Sequence, residues 1–372
     1  MRFKVETLHG SKSLPYRRGL LSGFLWKLIR ESLSLTQSQL AEALQVDIAT
    51  IQGWETGRRP LTAIRIADLA HLRIRLIRHG AHPHLFKVLC DAIEADLIIE
   101  FAIEHGRSVA DSRWHPLAAT VHRRDLTNLI TWPFTGVLPT QLNGLVREAS
   151  SRRGPSSHRP ALSVSERTRF FTHLLAVADR KRDPADALLR RQATYLLAFD
   201  SEQSTAAWLV DEHRRALRSA RSGDDVSTWV EVRSASVALA RYGFHEPLLD
   251  FVGSGLDSDT QALANINYWA YWVGEVADTY TDDGFMRSND PRTANGSRLL
   301  EHLVDRLDTG HEQIELYIHT LWHLLLIRPG MAHHLPELRS RAQAGIGNLD
   351  SANLTGRARQ KLSDVTYALR LS

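Results

Sequence analysis

Residues Thr36–Pro60 read TQSQLAEALQVDIATIQGWETGRRP, and the spacing of the apolar positions decides how this part of the chain folds. Leu40, Ala41 and Leu44 recur at helical intervals, and Val46, Ile51 and Trp54 come after a short step. Thr36 with Gln39 three residues later forms a capping box, so a helix is predicted to start there and run to about Leu44. Asp47 suits the N-cap of a second helix, which Gly57 stops before Pro60. Helices over 37–44 and 48–55, about three residues apart, have helix-turn-helix spacing. Leu21, Leu25, Ile29 and Leu33 repeat the pattern upstream, and Ile64, Ile66, Leu69 and Leu72 repeat it downstream. Four or five short helices are therefore predicted.

Charge separates this head from the rest of the chain. Residues 1–80 carry thirteen Lys or Arg against six Asp or Glu, whereas the remaining residues carry thirty-three against thirty-six. A basic module on a near-neutral body is the electrostatic footprint of a nucleic-acid-binding head. At 372 residues the chain exceeds one ordinary domain. Cys90 is the single cysteine, which excludes an internal disulfide and any cysteine-rich zinc site and fits a reducing compartment. No apolar run approaches the roughly 20 residues needed to span a bilayer, and the N-terminus shows no secretory signal. The expected setting is the cytoplasm, with nucleoid association when bound to DNA.

The segment Ile51–Ala63, IQGWETGRRPLTA, resembles the helix-turn-helix of the phage-repressor-like XRE regulators, and specifically actinobacterial members with a long C-terminal helical region. The likeness spans about Leu25 to Leu72. Gln45 departs from the pattern, because the family usually has glycine at that turn; a left-handed Gln costs about 1 kcal/mol more than Gly. The resemblance implies that Gln37, at the start of the first helix, faces a phosphate and that Arg58 and Arg59 clamp the neighbouring backbone. Arg30 and Glu55 match a structural ion pair tying the preceding helix to the end of the recognition helix. Base reading falls to the exposed face of 48–53. Thr50 and Gln52 carry the hydrogen-bonding groups there, Ile48 and Ala49 can touch thymine methyls, and Gly53 leaves space for the DNA. Modest direct readout of A·T-containing half-sites is expected, with steep salt dependence.

Beyond the head, residues 81–149 read as a helical connector and Ser150–Pro160, SSRRGPSSHRP, as a linker. Residues 161–372 read as an α-helical dimerisation and sensing body. The fold class is all-α. Its helix pairs resemble an α-solenoid of the tetratricopeptide type, although no fixed period aligns one pair with the next.

A search for catalysis gives little. His311-Glu312-Gln313-Ile314-Glu315 has Glu315 where a zinc-protease helix needs its second histidine. His319 with His323, and His79 with His82 and His84, read as ordinary core or surface residues. No phosphate loop or nucleophile elbow is present, so neither an enzyme nor a cofactor nor a metal is expected. The aromatic run Tyr268, Trp269, Tyr271 and Trp272 fits either helix packing or a pocket for a small-molecule or peptide effector, closed by Asp278, Asp282 and Asp283.

The expected function is that of a double-stranded-DNA-binding regulator, most simply a repressor. It is expected to act as a homodimer through body helices near Leu299–Leu307 and Leu316–Leu326. A second class stays open, a scaffold whose helix-turn-helix docks a protein.

Overall fold

Leu21, Leu25 and Ile29 lie one to two turns apart and are all shielded from solvent, as the inward stripe of a first helix should be. The computed structural model describes residues 18–108, 115–121, 123–142, 145, 159–180, 186–220, 226–256, 258–276, 283–287, 296–349 and 354–371. The basic residues before Arg18, nearly all of the segment read as a linker, and Asp278 and Asp282 lie outside the described residues. Among the described residues every regular element is a helix.

Two compact units are distinguished, Met1–Gly106 with Asn128–Phe170, and Arg107–Thr127 with Phe171–Ser372. The first contains α1 (Leu20–Ser32), α2 (Gln37–Leu44), α3 (Ile48–Glu55), α4 (Ile66–Arg78) and α5 (Pro83–His105). It continues past Gly80 because α5 packs along α1. α5 lays Leu89, Ala92, Ala95 and Ile99, each fully buried, into the interior. Asp96 sits in the same row with no exposure, and its carboxylate accepts the Leu21 N–H at 2.8 Å and the Ser22 N–H at 2.9 Å. These are orphan donors of the first turn of α1, so α5 acts as the cap that Gly19 lacks.

Burial raises the Asp96 carboxyl from 3.8 to about 6, against the opposing pull of its hydrogen bonds. Between those values the folded protein keeps a proton that the unfolded chain has released, so this group costs stability as pH rises from about 4 to about 6. The urea midpoint of wild type is therefore expected to fall relative to that of Asp96→Asn across this window. A constant gap between the two would show that Asp96 is ionised throughout.

One expected core position is not buried. Ile66 is 87% exposed, and it lines up along α4 with exposed Ala70, Ile74 and Ile77, while Leu72 and Leu76 point inward. Periodicity identifies the helix correctly but places Ile66 on its inner face.

The second unit holds α7 (Val164–Ala178) from Phe171 on, α8 (Ala187–Leu197), α9 (Gln203–Ala220), α10 (Val226–Arg241), α11 (Glu246–Ser254) and α12 (Asp259–Trp272). It ends with α13 (Ser297–Val304), α14 (Ile314–Ile327), α15 (Pro336–Asn348) and α16 (Gly356–Leu371). α6 (Arg124–Thr135) begins in this unit and ends in the first. Most helices pack on partners one or two places along the chain, such as α9 and α11 on α10, or α15 on α16. This is the neighbour-to-neighbour pattern of stacked helix pairs, departed from where α11 meets α14.

α14 is apolar nearly all round, as a central helix must be. Leu299, Leu303, Leu316 and Leu321 have no exposure at all. These four leucines belong to the unit's own core and are out of reach of a second copy, whereas Leu326 at the end of the expected dimer segment is 59% exposed. Glu315 is also buried, and its carboxylate accepts from Thr355 N at 2.7 Å and Thr355 Oγ1 at 2.8 Å, fixing the start of α16. The glutamate of the zinc-like fragment serves helix capping.

Candidate nucleic-acid interface

α2 starts where the capping box puts it. Thr36 Oγ1 accepts the Gln39 N–H at 3.2 Å, and Gln39 Oε1 accepts the Thr36 N–H at 2.8 Å. Gln45 ends the helix in the left-handed region at φ 54°. Asp47 stands at the N-cap of α3 with extended backbone, but its side chain makes no capping hydrogen bond. Gly57 turns the chain away at φ 72°, and a Cβ there would come within 2.7 Å of the Arg18 carbonyl oxygen.

Glu55 is the hub of this arrangement. Its side chain is 5% exposed and receives Arg30 Nε at 2.5 Å, Arg30 Nη2 at 3.2 Å and Gln37 Nε2 at 2.7 Å. Arg30 also donates Nη1 to the Leu35 carbonyl at 2.9 Å. One carboxylate thereby joins α1, the entry to α2 and the end of α3. Trp26 and Trp54 meet edge to face behind it at 5.1 Å.

Around that hub Ile48, Ala49 and Gln52 are exposed and Thr50 is half-buried, whereas Ile51 and Trp54 are buried. Gln52 Nε2 reaches Gln37 Oε1 at 3.5 Å, linking the starts of the two faces. Arg58 and Arg59 are exposed just beyond the helix. Arg59 folds back so that Nη1 donates to Thr50 Oγ1 at 2.9 Å, and its aliphatic stem covers Gly53. A Cβ at position 53 would stand 3.0–3.1 Å from three carbons of that stem. Gly53 is therefore buried, and the space it leaves is taken by Arg59 in this structure. The sequence carries no signal for this contact, because it depends on the turn at Gly57.

Residues 27–72 match the family model described as Helix-turn-helix. The head is a helix-turn-helix domain of the XRE type. The match covers α2 and α3, the last part of α1 and the first half of α4, and no curated protein and no solved structure matches the chain. An XRE-type domain binds DNA and is not a catalytic module. No helix among the described residues is long and apolar enough to cross a membrane.

The second unit places the predicted aromatic run largely in packing. Tyr271 is 4% exposed; its hydroxyl accepts the Arg124 N–H at 3.2 Å. Trp272 stacks on Tyr195 at 5.7 Å, and Trp269 packs against His302 and Tyr317. The space lined by Tyr268, Tyr271 and Trp272 is about 20 Å³, room for one water rather than a peptide. A cavity of about 440 Å³ lies elsewhere on α12, among Trp229, Phe251, Ala264, His213, Asp250 and Gln261. His213 is 7% exposed there, its Nε2 is unpartnered, and burial lowers its pKa.

Proposed function

We propose that the chain is a sequence-specific transcription regulator, most simply a repressor, that binds double-stranded DNA as a homodimer and responds to a small molecule. The observation that carries the reading is the division of α3 into a buried side, Ile51 and Trp54, and an outward row, Ile48, Ala49 and Gln52 with Thr50 beside it. α3 enters the major groove, Thr50 and Gln52 meet base edges, and Ile48 and Ala49 touch thymine methyls. Gln37, Arg58 and Arg59 face phosphates and set the register. Arg59 presents five donors, so it can keep Thr50 and still meet a phosphate.

Selection of genomic fragments at physiological salt tests this directly, with a few enriched sites expected. Absence of enrichment would favour a scaffold that uses the head to dock a protein. In the variant Thr50→Ala/Gln52→Ala, affinity for an enriched site is expected to fall about 10- to 100-fold while affinity for random DNA stays unchanged. An unaltered footprint would remove both residues from base reading.

A dimer is supported by affinity, since one head with few polar base contacts falls short of the roughly 10⁻⁸ M typical of specific regulators. The exposed row Ile66, Ala70, Ile74 and Ile77 supports a second copy as its cover. Sedimentation of wild type at micromolar concentration, alone and with DNA, is expected to give a dimer that Ile66→Asp/Ile74→Asp dissociates; a wild-type monomer in both conditions overturns it. The cavity at Trp229 and His213 supports an amphipathic small-molecule effector.

A further inference from the structure

Arg233, in α10, is 3% exposed and has no acid beside it. Its guanidinium lies 3.9 Å from the ring centre of Tyr268 and 5.1 Å from that of Trp269. Nε donates to Asn265 Oδ1 at 3.2 Å, whereas Nη2 is buried without a partner. Two turns on, Arg241 lies 4.2 Å from the Phe199 ring centre, and its Nη1 is likewise buried and unpartnered. Arg306 lies just past the end of α13 and donates Nη1 to the His302 carbonyl at 3.2 Å. Among the described residues, none of the three arginines forms an ion pair with a carboxylate.

Contacts link Arg233 and Arg306 around Tyr317: Trp269, under Arg233, and His302, whose carbonyl takes Arg306, both pack on the Tyr317 ring, as does His311. Arg306 also hydrogen-bonds the Tyr317 hydroxyl, which feels the charges of Arg233 and Arg241 as well. Trp269 Nε1 and His302 Nε2 are two further buried, unpartnered nitrogens in this group. His302 is held near pKa 3 by burial and by Arg306, so it is a neutral imidazole at physiological pH.

Stacking on Tyr268 and Phe199 satisfies the flat faces, and the Tyr268, Tyr195 and Tyr317 hydroxyls meet part of the edges of Arg233, Arg241 and Arg306, but Arg233 Nη2 and Arg241 Nη1 stay without a partner. An arginine cannot shed its proton to relieve burial. Unmatched buried charge is costly unless something anionic completes it. The unmet donors lie on three different elements, α10, α12 and α13, and carry more than one positive charge, which favours a multiply charged anion with several acceptor oxygens, such as a phosphate. Arg241, Arg306, His302, Tyr268 and Trp269 each keep part of their surface in solvent.

We propose that the second unit binds a small phosphate-bearing molecule at Arg233, Arg241 and Arg306, with Trp269 and His302 as neutral hydrogen-bonding partners. The site is separate from the helix-turn-helix, and the proposal stands whether or not the head reads a specific DNA sequence.

The test is thermal unfolding of the full chain in 10 mM inorganic phosphate against chloride at matched ionic strength, with succinate as the dicarboxylate control. Phosphate is expected to raise Tm by about 2–4 °C, and succinate by less than half as much. Arg241→Gln/Arg306→Gln is expected to abolish the phosphate shift. Arg233→Met is expected to melt above wild type in chloride, having lost an unmatched charge, and to ignore phosphate; if it does not fold, the other pair decides. No shift in wild type, an equal shift with succinate, or a shift retained in Arg241→Gln/Arg306→Gln overturns the proposal. So does a shift that disappears in Arg58→Ala/Arg59→Ala while persisting in the body variants, which places the anion on the head. DNA binding measured separately distinguishes failure of this site from failure of the regulatory reading.

Discussion

Glu55→Ala is expected to destabilise the first unit by about 3–5 kcal/mol, enough to leave much of the head unfolded at room temperature if its stability is typical of a small domain. The size of the effect comes from the groups left without a partner. The Arg30 side chain is 11% exposed and directs two of its nitrogens at Glu55, so truncation strands a buried cation. Gln37 loses its 2.7 Å acceptor in the same step. Urea unfolding followed by the fluorescence of Trp26 and Trp54 measures the loss. A wild-type midpoint for Glu55→Ala would mean that the three helices are held by apolar packing alone.

Salt should change DNA affinity by a comparable free energy. If Arg58 and Arg59 each neutralise one phosphate, a dimer neutralises about four, and log K should fall against log[salt] with a slope of about −3.6. Between 50 and 200 mM salt that is a loss of about 100-fold. Fluorescence anisotropy with a selected duplex gives the slope, and Arg58→Ala/Arg59→Ala should bring it close to zero. A wild-type slope near zero would remove both arginines from the phosphate backbone and with them most of the case for this mode of binding.

The parts of the fold legible from sequence are those written in local signals. Thr36 with Gln39, Asp47, Gly57 and the apolar spacing between them locate α2 and α3 because caps and periodicity act over a few residues. The features that escape a sequence reading depend on partners distant in the chain. Asp96 caps α1 across 75 residues, and nothing in IEADLIIE separates it from a surface aspartate. Arg233 in EVRSASV likewise looks like any helix arginine until Tyr268 and Trp269 are brought over it. Ile66 shows the converse limit, since periodicity finds an apolar face without saying whether the same chain supplies its cover. The aromatic run of α12 is conspicuous in composition, yet its rings are mostly consumed by neighbouring helices, and the room lies beside Trp229 and Phe251.

The hub at Glu55 holds the head through side chains that do not belong to the outward row of α3. Ile48, Ala49 and Gln52 are exposed, and Thr50 Oγ1 accepts from the Arg59 guanidinium. If the proposed contacts hold, recognition and folding draw on different letters of the same eight-residue helix. Such a segment can drift toward a new target one substitution at a time without passing through an unfolded ancestor, and a library randomised at these four positions should express as readily as the parent. Duplicated copies of this chain could diverge in address while keeping one architecture.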